Sequence, residues 1–411
     1  MAEKIVITGL GSVSPLGNTV EETWQSAING KTGVGPITLF DSSAHLVHIA
    51  CEVKNFDPTK YIEPREVRRR DRYQHFSAAA VDQALKQSGL EINEGNAARI
   101  GTIIASAIGG LTSMEQGVID VHTEGPRRAS PFLIPLLMSN GAAGLASIDH
   151  GMKGPALSVA SACASAQDGI GITWMMLRSG MIDAAIAGGS EATITKVGVA
   201  AFDRTQAMSR LGPNDPTPSP FDKDRDGLVM GEGSAILILE TESHAKKRGA
   251  TILAELAGYA ASADAFHITA PHETGAGGAS AIQMAIENAG ANLEDVDYIN
   301  AHGTGTKLND LSETKAIKTA FGEGAYDIPI SSTKSMTGHM MGATGALEAI
   351  LCVLAIRDGI VPPTINYRTP DPDCDLDYIP NKAREVKVEV AISNAFGFGG
   401  HNAVLVLRKY A

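Results

Sequence analysis

Four side chains in this chain combine reactivity with a local setting that could use it: Cys163, His302, Lys334 and His339. Cys163 lies in Leu157-Ser-Val-Ala-Ser-Ala-Cys163-Ala-Ser-Ala, which reads as a short apolar strand turning through small residues into a helix. A thiol at a helix N-terminus faces unpaired backbone N–H groups and the positive end of the helix dipole, so its pKa is expected to fall. The same N–H groups suit a developing oxyanion. A cysteine taken alone, however, is more often a small buried hydrophobe. His302, in Ile299-Asn-Ala-His302-Gly-Thr-Gly-Thr306, stands where a buried strand runs into a glycine-rich loop. Active groups in α/β folds are commonly found there, although a satisfied structural histidine fits the segment as well. Lys334 and His339 share the stretch Ser331-Ser-Thr-Lys334-Ser-Met-Thr-Gly-His339, just ahead of another helix.

These segments belong to an internal repeat. The helical pattern from Ala78 to Leu90 and the strand Arg99–Ser106 recur as Ala279–Gly290 and Val296–His302. The helix from Cys163 to Gly180 recurs, at equal length, from Gly342 to Gly359. The glycine turn and apolar strand of Gly231–Glu240 recur in Gly399–Arg408. Each half is therefore expected to be one α/β unit, residues 1–250 and 251–411, joined near Lys246–Ala250. Two such units would stack their sheets with the helices headed by Cys163 and Gly342 buried between them. Cys163 and the His339 loop then sit at equivalent helix starts, and His302 enters from a strand end. Core packing explains each reactive residue singly but does not predict that they converge; catalysis does.

Other motifs carry less. Gly9-Leu-Gly-Ser-Val-Ser14 begins like a dinucleotide fingerprint but has Ser14 at the third glycine position, so a turn is expected. Ser331-Ser-Thr-Lys334 and Lys31-Thr-Gly33 match serine-acylase motifs in the wrong order. The four cysteines, Cys51, Cys163, Cys352 and Cys374, show no metal-ligand spacing and are expected to be free thiols. No signal peptide and no uninterrupted apolar stretch of about 20 residues is present, which predicts a cytoplasmic protein that does not enter a membrane. A net charge of −12 argues against nucleic acid. Against that total, Arg65, Arg68, Arg69, Arg70 and Arg72 cluster within one or two expected helical turns, and Arg127 and Arg128 add a second basic point. Such a run is usually a solvated face, yet it also suits a small acidic partner.

With these residues in hand, the whole chain resembles the elongating β-ketoacyl-[acyl-carrier-protein] synthases. The resemblance rests on Ser-Ala-Cys163-Ala-Ser, Asn-Ala-His302-Gly-Thr-Gly-Thr, Lys334-Ser-Met-Thr-Gly-His339 and Asn394-Ala-Phe-Gly-Phe-Gly-Gly400. It implies a thiolase-like fold of five layers, αβαβα, with two stacked mixed sheets, and a homodimer. It implies that Cys163 takes an acyl group from an acyl carrier protein, with the N–H groups of Cys163 and Phe398 as oxyanion hole. His302 and His339 would then assist decarboxylation of malonyl-carrier protein, with Lys334 tuning their hydrogen bonds. By the same resemblance Thr304, Thr306 and Thr269 contact the phosphopantetheine arm, and Ile108 lies at the far end of the acyl tunnel. Arg65, Arg68, Arg69, Arg127 and Arg128 form the docking patch. The reaction calls for no redox cofactor or catalytic metal, the phosphopantetheine arm being the carrier's own. Some members hold a structural Na+ or K+ through residues equivalent to Asn300, Glu313, Glu348, Ser393 and Asn394, which a self-satisfied polar network would also explain.

Overall fold

The structure, a computed structural model, describes residues 3–411. Ten strands build its main sheet: β1 (Ile5–Val13), β2 (Ile100–Ala105), β3 (Ala156–Leu157), β4 (Ala184–Glu191), β5 (Gly233–Thr241), β6 (Ala254–Ala263), β7 (Tyr298–Asn300), β8 (Ile330–Ser331), β9 (Val390–Gly397) and β10 (His401–Arg408). The helices that matter for the site are α1 (Arg72–Ser88), α2 (Leu111–Glu124), α3 (Ser165–Arg178), α4 (Ala276–Asn288), α5 (Lys307–Phe321) and α6 (Thr344–Asp358).

The strand order is β3-β2-β4-β5-β1 in the first half and β8-β7-β9-β10-β6 in the second. Numbered within each half, both read 3-2-4-5-1. In both, the pairings among 3, 2 and 4 are parallel and those among 4, 5 and 1 antiparallel. The repeat therefore extends to the topology of every strand. The two sheets are not wholly separate, as stacked sheets would be: β1 and β6 pair at Val6 with Glu255 and Ile7 with Ala254. Beyond this short seam they diverge, and α3 and α6 lie between them in contact with both. Outside, α1 covers β1 and β5, while α4 covers β6 and β10 with α5 alongside, completing five layers.

The sequence of α6 shows why it is central. Every residue from Thr344 to Ile356 is buried, so the helix is apolar nearly all round and has no solvent-facing stripe. Its end, and that of α3, is marked by a glycine at positive φ, Gly359 at 66° and Gly180 at 71°. Between β5 and β6 the chain makes a short helix, Glu242–Lys247.

Two local expectations are corrected. Gly9-Leu-Gly-Ser is not a turn but the middle of β1, and its glycines serve helix packing: a Cβ on Gly11 would lie 1.9 Å from the Ala80 carbonyl oxygen. The arginine cluster does not share one helix. A four-residue helix, Pro64–Val67, ends before Asp71, which caps α1 reciprocally with Gln74. Arg70 is then taken up by Asp149 and Arg72 by Glu232, at 2.6 and 2.5 Å.

Gly11→Ala should destabilise the protein by about 1–3 kcal/mol, because α1 must move off β1 to admit the methyl group. Urea unfolding would measure this; an unchanged midpoint would mean that α1 is free to shift.

Candidate active site

Each central helix is entered through a tight elbow, Ala162–Ala164 before α3 and Met341–Ala343 before α6. The two elbows touch. The residue that opens each turn is a non-glycine at positive φ, Ala162 at 52° and Met341 at 46°. These positions correspond in the repeat. Backbone this strained is retained where surrounding packing fixes it, and active sites are where it concentrates.

Cys163 follows Ala162. Its sulfur, one ring nitrogen of His302 and one of His339 all lie within 4.8 Å of one another. The imidazoles meet edge to face with centroids 5.4 Å apart. All three residues line a cavity of about 400 Å³ together with Thr304, Thr306, Thr269, Phe398 and Phe396. A zinc ion could also take one sulfur and two nitrogens. The backbone N–H groups of Cys163 and Phe398, however, both bear on the thiol, an arrangement suited to an oxyanion. Gly397 makes this possible: a Cβ there would stand 3.0 Å from the Cys163 nitrogen.

The supports of the histidines are built from the sequence immediately around them. Glu313, on α5, accepts the backbone N–H groups of His302 at 2.8 Å and Gly303 at 2.7 Å, fixing the loop after β7. Thr344, first residue of α6, contacts His339 Nδ1 at 3.1 Å and leaves Nε2 without a protein partner. Lys334 does not line the cavity. It is buried and paired with Glu348 at 2.6 Å. The Thr304 and Thr306 hydroxyls lie 3.0 Å apart on the cavity wall, and Thr269 sits on an exposed loop at its mouth.

Burial holds both histidines well below the usual imidazole range, with Lys334 reinforcing it in each case and His339 adding to it at His302. Both are neutral near pH 7. The expected fall in the Cys163 pKa is corrected. Part of the residue faces the cavity, but desolvation of the sulfur outweighs the Phe398 N–H and Lys334 and pushes the thiol up to about 11. The resting nucleophile is a neutral thiol.

Three oxygens buried behind the site have no hydrogen-bond partner: Asn300 Oδ1, Asn394 Oδ1 and Glu348 Oε2. Glu313 beside them is pushed by burial up to about 7. Ser393 accepts a hydrogen bond from Gln167 at 2.8 Å. Acceptors without donors beside buried carboxylates fit a hard monovalent cation. Two other expected sets lie away from the cavity. Ile108 does not line it and is 41% exposed beside α2. Arg65, Arg68, Arg69, Arg127 and Arg128 are all exposed; Arg69 pairs with Glu66 at 2.9 Å and Arg128 with Glu124 at 2.7 Å.

Sequence reasoning missed Thr344, Gly397 and Glu191. The last closes the apolar strand β4 and is fully buried, and a charge ending such a strand was its one visible signal.

A duplicated α/β fold whose central helix presents a cysteine to two neutral histidines and a pair of N–H groups defines a condensing acyltransferase. Residues 2–245 match the family described as beta-ketoacyl synthase, N-terminal domain, and residues 253–368 match its C-terminal domain. The chain is 48% identical over 410 residues to 3-oxoacyl-[acyl-carrier-protein] synthase 2 of Synechocystis sp., covering 99% of this chain and 98% of that one. It is 47% identical over 408 residues to the enzyme of the same name from Staphylococcus aureus, covering 99% of each. Among solved structures, a type II polyketide ketosynthase in complex with its acyl-carrier protein superposes with a TM-score of 0.92 at 35% identity, over the full length of both chains. The chain belongs to the β-ketoacyl synthase family, and it is an elongating synthase of fatty-acid synthesis.

Because the Cys163 thiol is neutral at rest, its alkylation by iodoacetamide should quicken about tenfold per pH unit from about pH 7 to about pH 9. Peptide mapping would follow it. A plateau below about pH 8 would mean that the thiolate is already formed.

Proposed function

We propose that Cys163 carries the growing acyl chain and that His302 and His339 turn malonyl-carrier protein into the carbon nucleophile that extends it. The observation that carries this reading is the convergence of the three reactive atoms within 4.8 Å at the base of one cavity. In the first half-reaction the sulfur attacks the acyl thioester, the Cys163 and Phe398 N–H groups take the oxyanion, and the pantetheine thiol leaves with the proton. In the second, loss of CO2 from the malonyl thioester leaves an enolate, whose oxygen accepts from the neutral imidazoles. Its carbon attacks the acyl-Cys163 carbonyl, the C–S bond breaks, the released Cys163 sulfur takes up a proton from water, and the 3-oxoacyl chain departs on its carrier. Decarboxylation supplies the carbanion without a strong base. Lys334 acts at a distance, its charge keeping both imidazoles neutral. Thr304, Thr306 and Thr269 would hold the phosphopantetheine arm along the cavity wall.

The carrier would dock at Arg65, Arg68, Arg69, Arg127 and Arg128, exposed cations on a chain of net charge −12. A homodimer is supported by an exposed apolar strip that includes Ile108, Met114, Val118, Phe132 and Ile134, and by Leu157 on the edge strand β3. Ile108 would close the acyl tunnel within that dimer. A structural Na+ or K+ would be held by Asn300, Glu313, Glu348, Ser393 and Asn394, offsetting their buried negative charge. The halves meet near residue 250. Four free cysteines suit the cytoplasm.

Cys163→Ala should lower condensation of a medium-chain acyl-carrier protein with malonyl-carrier protein by more than about 1,000-fold, while malonyl decarboxylation persists. Measuring CO2 and 3-oxoacyl product separates the two steps, and undiminished condensation would reject the nucleophile. Charge reversal at Arg68 and Arg69 should raise KM for carrier-bound substrates roughly tenfold and leave pantetheine-only substrates unchanged. An equal change for both would remove the docking role.

A further inference from the structure

Glu191 ends β4 with no exposed surface, and its carboxylate faces only donors. Oε1 accepts from Ser106 Oγ at 2.8 Å and from the Ile108 N–H at 3.4 Å. Oε2 accepts from the Ala107 N–H at 2.8 Å and the Gly342 N–H at 3.1 Å. One carboxylate thus joins a loop of the first half to the elbow of the second.

The repeat gives this contact a meaning. β4 and β9 are equivalent eight-residue strands whose last residues are Glu191 and Gly397. Cys163 and Gly342 are equivalent elbow positions. At the first elbow, Gly397 comes within reach of the Cys163 N–H and leaves the space before it open for an oxyanion. At the second, Glu191 comes to the Gly342 N–H and fills the corresponding space with its own anion. A Cβ on Gly342 would lie 2.6 Å from Glu191 Oε2 and 2.4 Å from the Ala107 nitrogen, so the position has no room for a side chain.

We propose that Glu191 is a positioning residue: occupying the second elbow as an internal anion, it fixes Met341–Ala343, and with it Thr344 and His339, against Cys163. This rests on the condensing role of His339 proposed above. Glu191 touches no reacting atom. Its amide analogue does not reproduce the tie, because either orientation of Glu191→Gln turns an NH2 toward at least one backbone N–H.

Protonation would weaken the tie, since a carboxyl hydrogen on Oε2 faces two N–H donors and one on Oε1 would turn Ser106 from donor to acceptor. Burial pushes Glu191 up to about 7, against the hydrogen bonds from Ser106, Ala107, Gly342 and Ile108. The titratable groups on the surrounding elements are Tyr73 on α1, Cys163 and His339 at the elbows, Glu232 paired with Arg72 ahead of β5, Asp168 on α3 and Glu348 on α6. Tyr73 and Cys163 are pushed up by burial and His339 down, so all three stay neutral around pH 7. A raised carboxylate pKa means that the tie is intact above about 7 and weakens as pH falls through it. Glu313 and Glu348 are also pushed up to about 7, so the parent pH profile alone does not identify the group; removing a donor to Glu191 that bonds neither of the other two does.

The experiment measures condensation, malonyl decarboxylation and thermal unfolding of the full chain, Glu191→Gln and Ser106→Ala between about pH 5.5 and pH 8.5. Glu191→Gln should lower kcat for condensation roughly 10- to 100-fold with KM for both carriers within about threefold, as displacement of a reacting group does. Ser106→Ala keeps the carboxylate but removes the hydroxyl's hydrogen bond to it, together with the acceptor of the Gly109 N–H, so the acid limb of kcat should move to higher pH. It remains decisive if Glu191→Gln does not fold. Parent-like kcat in Glu191→Gln, or an acid limb unmoved in Ser106→Ala, overturns the inference while parent turnover stands. Absence of condensation by the parent chain overturns it together with the reading beneath it.

Discussion

Two chain reversals set back to back, at Ala162–Cys163 and Met341–Gly342, are what the remainder of the structure has to accommodate. Each holds a residue with a side chain at positive φ, at a cost of about 1–3 kcal/mol. Neither reversal is stable for local reasons. They persist because the helices that follow them are clamped between two sheets, and because those sheets share a seam at β1 and β6 that keeps the halves in register. The equivalence of the first half's elbow with the second's is thus a packing condition before it is a catalytic one. Helix starts at the centre of a fold place N–H groups where water does not compete for them.

That dryness sets the electrostatics. Histidines in the same surroundings are held neutral and able to donate, and Cys163 is held as a thiol, so the three reacting side chains carry no charge at rest and the nearest cation is Lys334, paired with Glu348. Neutral imidazoles beside a buried lysine are suited to meeting a developing enolate, because the negative charge arrives with the substrate. A thiolate formed in advance would have to be desolvated at rest, and a helix dipole of modest strength does not supply that energy.

The duplication, the central helices and the Cys–His–His constellation were legible in the sequence because they depend on short-range pattern: equal spacing, apolar periodicity and glycine stops. The pKa of Cys163 was not, since helix position is a local property and desolvation depends on what the other half brings against the sulfur. Gly9 and Gly11 looked like a turn because a glycine admitting a helix and a glycine turning a chain are the same letter. The arginine run looked continuous because the interruption at Asp71 is made by its reciprocal hydrogen bonds with Gln74, not by a helix-breaking residue type. The roles of Gly397 and Glu191 were not legible for a third reason, as the groups they meet are more than 80 residues away in the chain.

Those last two residues also show how a symmetric fold supports an asymmetric reaction. Duplication supplies two elbows, two strand ends and two sets of inward N–H groups. Two competent oxyanion sites in contact would compete for one thioester, and an empty second one would leave the Gly342 N–H buried without an acceptor. Replacing the glycine that ends β9 by the glutamate that ends β4 resolves both: the second set of donors is satisfied from within, and its elbow becomes a fixed wall for His339. The same step explains why the position equivalent to Cys163 is a glycine, since the carboxylate now occupies the volume that a side chain would need.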